Sequence, residues 1–235
     1  MAVVREIRSD TGVVMTGGRI NIYDRLGREL APFGLVPRGG FHSEADFSGK
    51  TIVLAGNVDH RMWEAFSVSD FGGEDALDNW CEATLSPVAE RLGAGIVFPF
   101  SGPPWYPFQR WAQQAERVFP SPIGPLLHPQ YGQWHAYRAA FLFAGVIDLP
   151  MPVAGVDNPC ESCRTEPCRS GCPVGAIGQG QYDVPACIAH ISTAVGRDCL
   201  TNGCLARRAC PIGADNRYPG AQAEFHMRAF LKSNR

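Results

Sequence analysis

The chain has 235 residues, of which 45% are hydrophobic and 19% charged, and its formal net charge is −2. This composition is typical of a folded protein with one large domain or two modest ones. The slightly acidic balance argues against a general nucleic-acid-binding protein, which would show a basic stripe.

The first residues carry charges where a secretory signal would have an apolar core. The longest apolar run, residues 139–147, is much shorter than the roughly 20 residues of a membrane-spanning helix. We therefore expect a cytoplasmic protein with no membrane partner. Because cytoplasmic thiols stay reduced, clustered cysteines favour metal binding over disulfides.

The N-terminal elements alternate between helix and strand. Residues 1–19 contain turn signals and predict a mobile arm or a short hairpin. Residues 20–30 have the apolar spacing of an amphipathic helix, and residues 35–41 predict a short edge strand. The continuous apolar run at residues 51–56 predicts a strand that is covered on both faces.

A polar cluster, residues 57–60, follows this buried strand. In sheets flanked by helices, ligands often bind at the carboxyl ends of strands. Asp59 is therefore a candidate proton donor for catalysis. The alternative is that Asp59 belongs to the capped start of a helix.

The next elements are a long helix, a short strand and a proline-rich loop. Residues 75–92 carry an apolar stripe of helical spacing, and residues 96–100 predict a second strand. The loop at residues 101–107 presents Trp105 and Tyr106, which are candidate cofactor-binding residues in a lid over a flat ligand. A rigid surface loop explains these two side chains equally well. Residues 108–118 predict a short helix.

The densest polar and aromatic cluster outside the cysteines is at residues 128–137. Aromatic content favours a strand over residues 134–143. Tyr131 and His135 are candidate proton donors, since a reductase needs one near its substrate. Trp134 and Tyr137 are candidate cofactor-binding residues. The alternative is a half-buried set of side chains that satisfy one another.

A proline-rich segment, residues 150–159, predicts a linker, and residues 221–231 predict a closing helix. We therefore expect two domains, residues 1–155 and residues 156–235. The predicted fold class is α+β, with a mixed α/β first domain. We expect the second domain to be small, rich in loops and stabilised by bound metal.

Eight of the nine cysteines lie within residues 160–210. The first run is Cys160-x2-Cys163-x4-Cys168-x3-Cys172-Pro173. It matches the bacterial ferredoxin run, except for two extra residues before the third cysteine. In two-cluster ferredoxins, the fourth cysteine of such a run ligates the other cluster.

The second run ends in the same way, at Cys210-Pro211. If the two runs exchange their last cysteines, the ligands of two [4Fe-4S] clusters are complete. One cluster then takes Cys160, Cys163, Cys168 and Cys210, and the other takes Cys172, Cys187, Cys199 and Cys204. The alternative is structural zinc, bound at two sites of four thiolates.

The segment also resembles a known family. The resemblance rests on residues 149–150, 160–173, 182–191, 203–204 and 210–211. These residues are similar to the cluster domain of epoxyqueuosine reductases and, more distantly, of corrinoid-dependent reductive dehalogenases. The resemblance implies a nitroreductase-like first domain that binds cobalamin, and clusters that reduce its cobalt.

Three arginines, Arg197, Arg207 and Arg208, surround the second cysteine run. They could dock an acidic electron donor such as a flavodoxin or a ferredoxin. They could equally balance the negative charge of thiolate-ligated clusters. No glycine-rich nucleotide-binding motif follows a strand, so we expect no nicotinamide site of the usual kind.

The leading hypothesis is a redox protein that passes electrons through two [4Fe-4S] clusters. The electrons pass to cobalamin, or to a corrinoid or small-molecule substrate, bound in the first domain. If the chain is catalytic, it is an iron–sulfur reductase. One alternative is a ferredoxin-like carrier or a cobalamin-handling protein without catalysis. The other alternative is a zinc-stabilised interaction protein.

Overall fold

The computed structural model describes residues 21–151, 155–178 and 181–234. The predicted arm or hairpin at residues 1–19 lies outside these ranges. Four strands form one sheet in the order β1-β2-β4-β3, and every pair is antiparallel. The strands are β1 (Val36–Ser43), β2 (Lys50–Asn57), β3 (Gly95–Val97) and β4 (Ala136–Ala144). With the helices around it, this sheet confirms the α+β class.

Strand β2 lies in the middle of the sheet and is buried along nearly its whole length. Ile52 and Leu54 pack on one face of the sheet, and Val53 and Ala55 on the other. The apolar run at residues 51–56 therefore has no polar alternation because neither face of the strand meets water.

Three helices cover the face of the sheet that carries Val53. They are α1 (Ile22–Leu30), α2 (Arg61–Ser67) and α3 (Ala76–Leu92), with a 3₁₀ turn at Ala31–Phe33. Helix α3 matches the predicted helix to within one residue, and its apolar stripe is buried. It ends at Gly93, whose φ of 65° is one that glycine adopts without strain.

One helix, α4 (Phe108–Ala115), covers the opposite face with the loop that follows it. This helix is three residues shorter than the sequence pattern predicts. The predicted strand at residues 134–143 is confirmed as β4, and the strand expected at residues 96–100 is confirmed in the shorter β3.

Strand β4 contains a bulge opposite the end of β2. Ala139 pairs with Ala55 and Tyr137 pairs with Gly56, so Arg138 is an extra residue without a partner on β2. The backbones approach closely here, since a Cβ on Gly56 would lie 2.0 Å from the carbonyl oxygen of Ala136. Glycine at position 56 is therefore a requirement of the bulge.

The cysteine segment consists of short helices and turns. The helices are α5 (Pro159–Ser162), α6 (Pro167–Ser170), α7 (Val184–Ile191), α8 (Arg197–Asn202), α9 (Leu205–Ala209) and α10 (Gly220–Ser233), with a 3₁₀ turn at Ala214–Asn216. The predicted closing helix is confirmed as α10. No helix in the described ranges has the length and apolar character needed to cross a membrane.

Helix α10 packs back onto the N-terminal part. The ring of Phe225 lies 5.3 Å from Trp63 and 5.5 Å from Phe66. Just before the helix, the hydroxyl of Tyr218 accepts a hydrogen bond of 3.0 Å from the side chain of Asn57. The last helix of the chain is therefore part of the core that covers α2.

Candidate functional site

The eight clustered cysteines form two groups of four, each around its own cavity. The first cavity has a volume of about 190 Å³, and its cysteines are Cys160, Cys163, Cys168 and Cys210. Leu127 and Gln133, which precede β4, complete the wall of this cavity. The first group thus lies directly against the N-terminal part of the chain.

Two short helices present the first group. Asn158 caps α5 by accepting a hydrogen bond of 3.0 Å from the backbone N–H of Cys160. Proline occupies the first position of both α5 and α6, where no N–H is needed. The turn between them passes through Glu166, whose φ is 37°. The two residues that lengthen this run relative to a ferredoxin are accommodated in this turn.

The second group lines a tighter cavity of about 20 Å³, and its cysteines are Cys172, Cys187, Cys199 and Cys204. Asp183 caps α7, which carries Cys187, by accepting a hydrogen bond of 2.9 Å from the N–H of Ala186. Met227 of α10 covers the group from the side. The N–H of Ala176 donates to the sulfur of Cys172 at 3.3 Å, which favours a negative charge on that sulfur.

Burial makes these thiols difficult to ionise. It raises the pKa of Cys160 to about 11, and charge on Cys210 and Cys168 would raise it further. Burial also raises the pKa of Cys204 and Cys199. Four thiolates cannot share either cavity without a positive centre among them. Without such a centre, the surroundings of each cavity favour neutral thiols.

The described residues contain no set of three or more His, Cys, Asp or Glu side chains arranged around a single metal ion. Each group of four cysteines lines a cavity of its own.

Two glycines bring the cysteine segment against the N-terminal part. A Cβ on Gly132 would lie 2.0 Å from the carbonyl oxygen of Ile212, and a Cβ on Gly213 would lie 2.2 Å from the carbonyl carbon of Tyr131. Both glycines have positive φ. The loop after Cys210 therefore crosses the loop before β4 at backbone contact.

A buried polar network lies on the α4 side of this crossing. Arg38 forms an ion pair with Glu116 in which Nη2 lies 2.6 Å from Oε1. Its Nη1 donates to the carbonyl oxygen of Asn57 at 3.1 Å. The hydroxyl of Tyr137 donates to the same Glu116 oxygen at 2.5 Å. The network holds one buried cation and one carboxylate in a fixed arrangement.

His135 completes this network in one tautomer. Arg38 approaches Nδ1 at 3.2 Å and can only donate, so Nδ1 accepts. Nε2 then carries the proton and donates to the carbonyl oxygen of Leu126 at 3.0 Å. Burial and the charge of Arg38 lower the pKa of His135 to about 3. His135 thus orients Arg38, and near neutral pH its ring is neutral, with its single N–H already donated to Leu126.

An open cavity of about 340 Å³ adjoins the network. Its lining residues include Tyr23, Glu116, His128 and Gln130, together with Pro150 and Met151. Burial, followed by the charge of Arg38, lowers the pKa of His128 to about 4. Its Nδ1 accepts a hydrogen bond of 3.1 Å from the N–H of Gln130, so Nε2 carries the proton. The lining of the cavity therefore includes both polar and apolar side chains.

The structure brings together three of the predicted site residues. Tyr131 and Tyr137 lie with their rings 5.6 Å and 4.9 Å from the guanidinium carbon of Arg38, and His135 contacts the same guanidinium. Trp134 lies apart from them, with its ring 4.3 Å from the guanidinium of Arg207.

The other three predicted residues lie elsewhere. Asp59 accepts from the backbone N–H of Arg61 at 2.9 Å and pairs with its side chain at 2.7 Å, which is the capped helix start. Trp105 is 64% exposed. Tyr106 packs on Phe47 and Trp111 against α4. The rule that ligands bind at carboxyl ends of strands concerns parallel sheets, and this sheet is antiparallel.

Sequence reasoning missed Arg38, Glu116 and Arg138. A charged residue within a predicted strand, such as Arg38, was the available signal. The three arginines near the second cysteine run also lie in different surroundings. Arg197 is exposed, Arg208 pairs with Asp198, and Arg207 lies between the rings of Trp134 and Tyr218. Arg207 is therefore unsuited to docking a partner.

No family model and no curated protein matches the chain. A solved structure with a similar fold is a B12-trafficking protein, CblC, from C. elegans, described as a human MMACHC homologue. Its TM-score is 0.53 at 18% identity, covering 90% of this chain and 92% of that chain. An epoxyqueuosine reductase from Bacillus subtilis has a TM-score of 0.48 at 13% identity, covering 86% of this chain and 70% of that chain. At these identities the likeness to CblC shows the fold alone.

Proposed function

We propose that this chain is a cobalamin-handling redox protein, whose two cysteine groups hold [4Fe-4S] clusters that supply electrons to a corrinoid in the N-terminal part. The observation that carries the proposal is the division of eight cysteines into two groups of four around separate cavities. When bound, such clusters exchange electrons at potentials set by their surroundings.

The chain's residues suit this role in three respects. The thiols are partly or fully buried, and Pro122, Leu127 and Ile212 give the first cavity an apolar wall that limits water. The N–H of Ala176 offsets charge at Cys172. A cubic cluster takes thiolates from around a space, whereas zinc takes them from around a point. These features favour an iron–sulfur cluster over zinc.

The open cavity beside Glu116 is the proposed place for part of the corrinoid. Gln130 lines this cavity and Gln133 lines the cavity of the first cysteine group, so one loop separates the two. His128 presents a neutral N–H there, and Tyr131 stacks on it at 4.4 Å. The fold is also that of a protein described as B12-trafficking.

The proposed roles of the site residues follow from these contacts. Glu116 and His128 orient polar groups of the ligand, while Arg38 and His135 hold Glu116 in place. Tyr131 is the proposed proton donor, because its ring is half-buried beside the cavity. The proposed electron donor is a small acidic protein such as a flavodoxin or a ferredoxin in the cytoplasm.

Anaerobic purification followed by metal analysis tests the clusters. We expect about eight iron atoms per chain, with matching sulfide. Colourless protein with two zinc ions would contradict the proposal. The corrinoid is tested separately by adding cob(II)alamin to the purified protein. We expect a change in the visible spectrum, and an unchanged spectrum would leave cobalamin without support.

A second candidate function is cobalamin binding without electron transfer. The likeness of the fold to a B12-trafficking protein favours it. The metal analysis and the addition of cob(II)alamin also separate the two candidates. The second candidate predicts the change in the visible spectrum even in a protein whose iron has been removed.

A further inference from the structure

A second cleft lies on the other face of the sheet, between α3 and α10, and Arg138 is at its centre. Arg138 is the bulged residue of β4 and has no partner on β2. Bulges redirect side chains and are frequent beside binding sites. Its Nε donates to the side-chain oxygen of Asn57 at 3.2 Å, which fixes the base of the guanidinium.

The remaining guanidinium donors of Arg138 face open space. Arg138 lines two adjoining cavities, of about 350 Å³ and about 210 Å³, and Asp78 also lines both. Across the described ranges, no carboxylate lies within 4.0 Å of the Arg138 nitrogens. The two terminal nitrogens of a guanidinium match two oxygens of a carboxylate or a phosphate.

His226 of α10 also lines this cleft. Its Nε2 is shielded from solvent and has no hydrogen-bond partner among the described residues. Burial and the charges of Arg138 and Arg207 lower the pKa of His226 to about 3, so the ring is neutral. The ring therefore adds no charge of its own beside the guanidinium of Arg138.

The other charged groups of the cleft are mostly paired within the protein. Lys232 forms an ion pair with Glu74, and Arg228 pairs with Glu224. Asp75 and Asp78 remain, and burial raises the pKa of Asp78. A carboxyl group beside Arg138 favours a ligand that carries a hydroxyl next to its anionic group, because the hydroxyl can donate to Asp78.

We propose that this cleft binds a small hydroxylated molecule through its phosphate or carboxylate group. The guanidinium of Arg138 contacts two oxygens of that group, and the ring of His226 lies in the same cleft lining. The site requires neither a cluster nor a corrinoid, so it stands apart from the function proposed above.

Calorimetric titration of the full chain tests the site with two probes, inorganic phosphate and glycolate, against sodium chloride at equal ionic strength. We expect saturable binding of at least one probe. Binding of phosphate alone would assign a phosphorylated ligand, and binding of glycolate alone a hydroxy acid. If neither probe binds more strongly than chloride, the proposal is wrong.

Arg138→Gln removes the guanidinium and should weaken binding by about ten- to hundredfold, the usual effect of losing charged hydrogen bonds. Arg228→Gln is the matched control, because Arg228 lines the same cavity but pairs with Glu224. It should leave binding within about twofold of the wild type. Equal losses in both variants would overturn the assignment.

Arg138→Lys covers the case in which Arg138→Gln does not fold. Lysine keeps the charge but offers no two-pronged contact, so binding should still weaken. Unchanged binding in this variant would overturn the assignment of Arg138 as the residue that grips the anion.

Discussion

The guanidinium of Arg207 lies 4.3 Å from the centre of the Trp134 ring and 4.9 Å from that of Tyr218. Its Nη2 donates to the carbonyl oxygen of Gln133, and its Nε is shielded without a partner among the described residues. Burial lowers its pKa. A buried cation without a carboxylate is costly, so the negative charge of metal-bound thiolates, Cys204 among them, would offset it.

Arg207→Met should lower the reduction potential of the second cluster. A nearby positive charge stabilises the reduced cluster, which carries more negative charge than the oxidised one. By Coulomb's law at the effective dielectric of a protein, removing this charge lowers the reduction potential by on the order of 50 mV. A redox titration followed by electron paramagnetic resonance measures the shift. Arg207→Lys should retain most of the potential, and Arg197→Met should leave it unchanged. A shift as large in Arg197→Met would contradict this role.

Cys163→Ser should remove one cluster and spare the other. Cys163 lines only the first cavity, so iron should fall by about four atoms per chain. Cys199→Ser should have the same effect on the second cavity. Iron analysis and the resonance signal of the remaining cluster provide the measurement. Cys81→Ser is the control, since Cys81 is buried in the core and outside both groups. Loss of neither cluster in Cys163→Ser would refute the ligand assignment.

Gly132→Ala should destabilise the protein more than Gly145→Ala does. Both glycines have positive φ, 60° and 70°, so both substitutions strain the backbone by about 1–2 kcal/mol. Only at Gly132 would the new Cβ also meet backbone, the carbonyl oxygen of Ile212 at 2.0 Å. Urea unfolding should therefore give a larger loss for Gly132→Ala. Equal losses of stability in the two variants would show that the loops at Gly132 and Ile212 move apart without a cost in free energy.

Stability should fall as the pH decreases from about 6.5 to about 3. The pKa of His135 is lowered to about 3 in the folded protein, from the usual 6.5. Between these values the unfolded chain binds a proton that the folded protein does not, so acid favours unfolding. Thermal unfolding at several pH values measures this effect.

His135→Gln should make that pH dependence shallower without abolishing it, because the pKa of His128 and of His226 is lowered as well. Its stability at neutral pH should also be lower, because Gln cannot reproduce both hydrogen bonds of His135. His60→Gln should parallel the wild-type curve, since the ring of His60 is 56% exposed. A curve for His135→Gln as steep as that of the wild type would show that other groups cause the acid sensitivity.

Arg38→Met should cost much more stability than Tyr137→Phe. Arg38 is 2% exposed, and its removal leaves the Glu116 carboxylate buried without its cation, at a cost of about 3–5 kcal/mol. Tyr137→Phe removes one hydrogen bond to Glu116 and leaves the ion pair, at a cost of about 1–2 kcal/mol. Denaturant unfolding compares the two. A larger loss for Tyr137→Phe would contradict the central place of Arg38.

Local patterns predicted the regular elements well. The apolar stripe of α3 and the continuous run of β2 identify their structure because both depend on neighbouring residues in sequence. The predicted grouping of the cysteines rests instead on an exchange of last cysteines between the two runs, by analogy with two-cluster ferredoxins, and each predicted set of four lines one cavity.

Long-range pairing explains what could not be predicted. Arg38 and Glu116 are separated by 78 positions, and neither has a local pattern that indicates the other. The bulge at Arg138 depends on how β2 and β4 align, which the sequence of either strand alone does not determine. The contacts of Asp59 lie on its own loop, where it accepts from the N–H of Arg61, and they leave its predicted catalytic role a prediction.

The packing of α10 has a consequence for protein engineering. This helix covers the second cysteine group with Met227 and the N-terminal core with Phe225. A segment that carries the cysteines cannot be grafted onto another sheet as an independent cassette, because its last helix would arrive without its aromatic partners. A working chimera would need to carry Trp63 and Phe66 along with the transplanted segment.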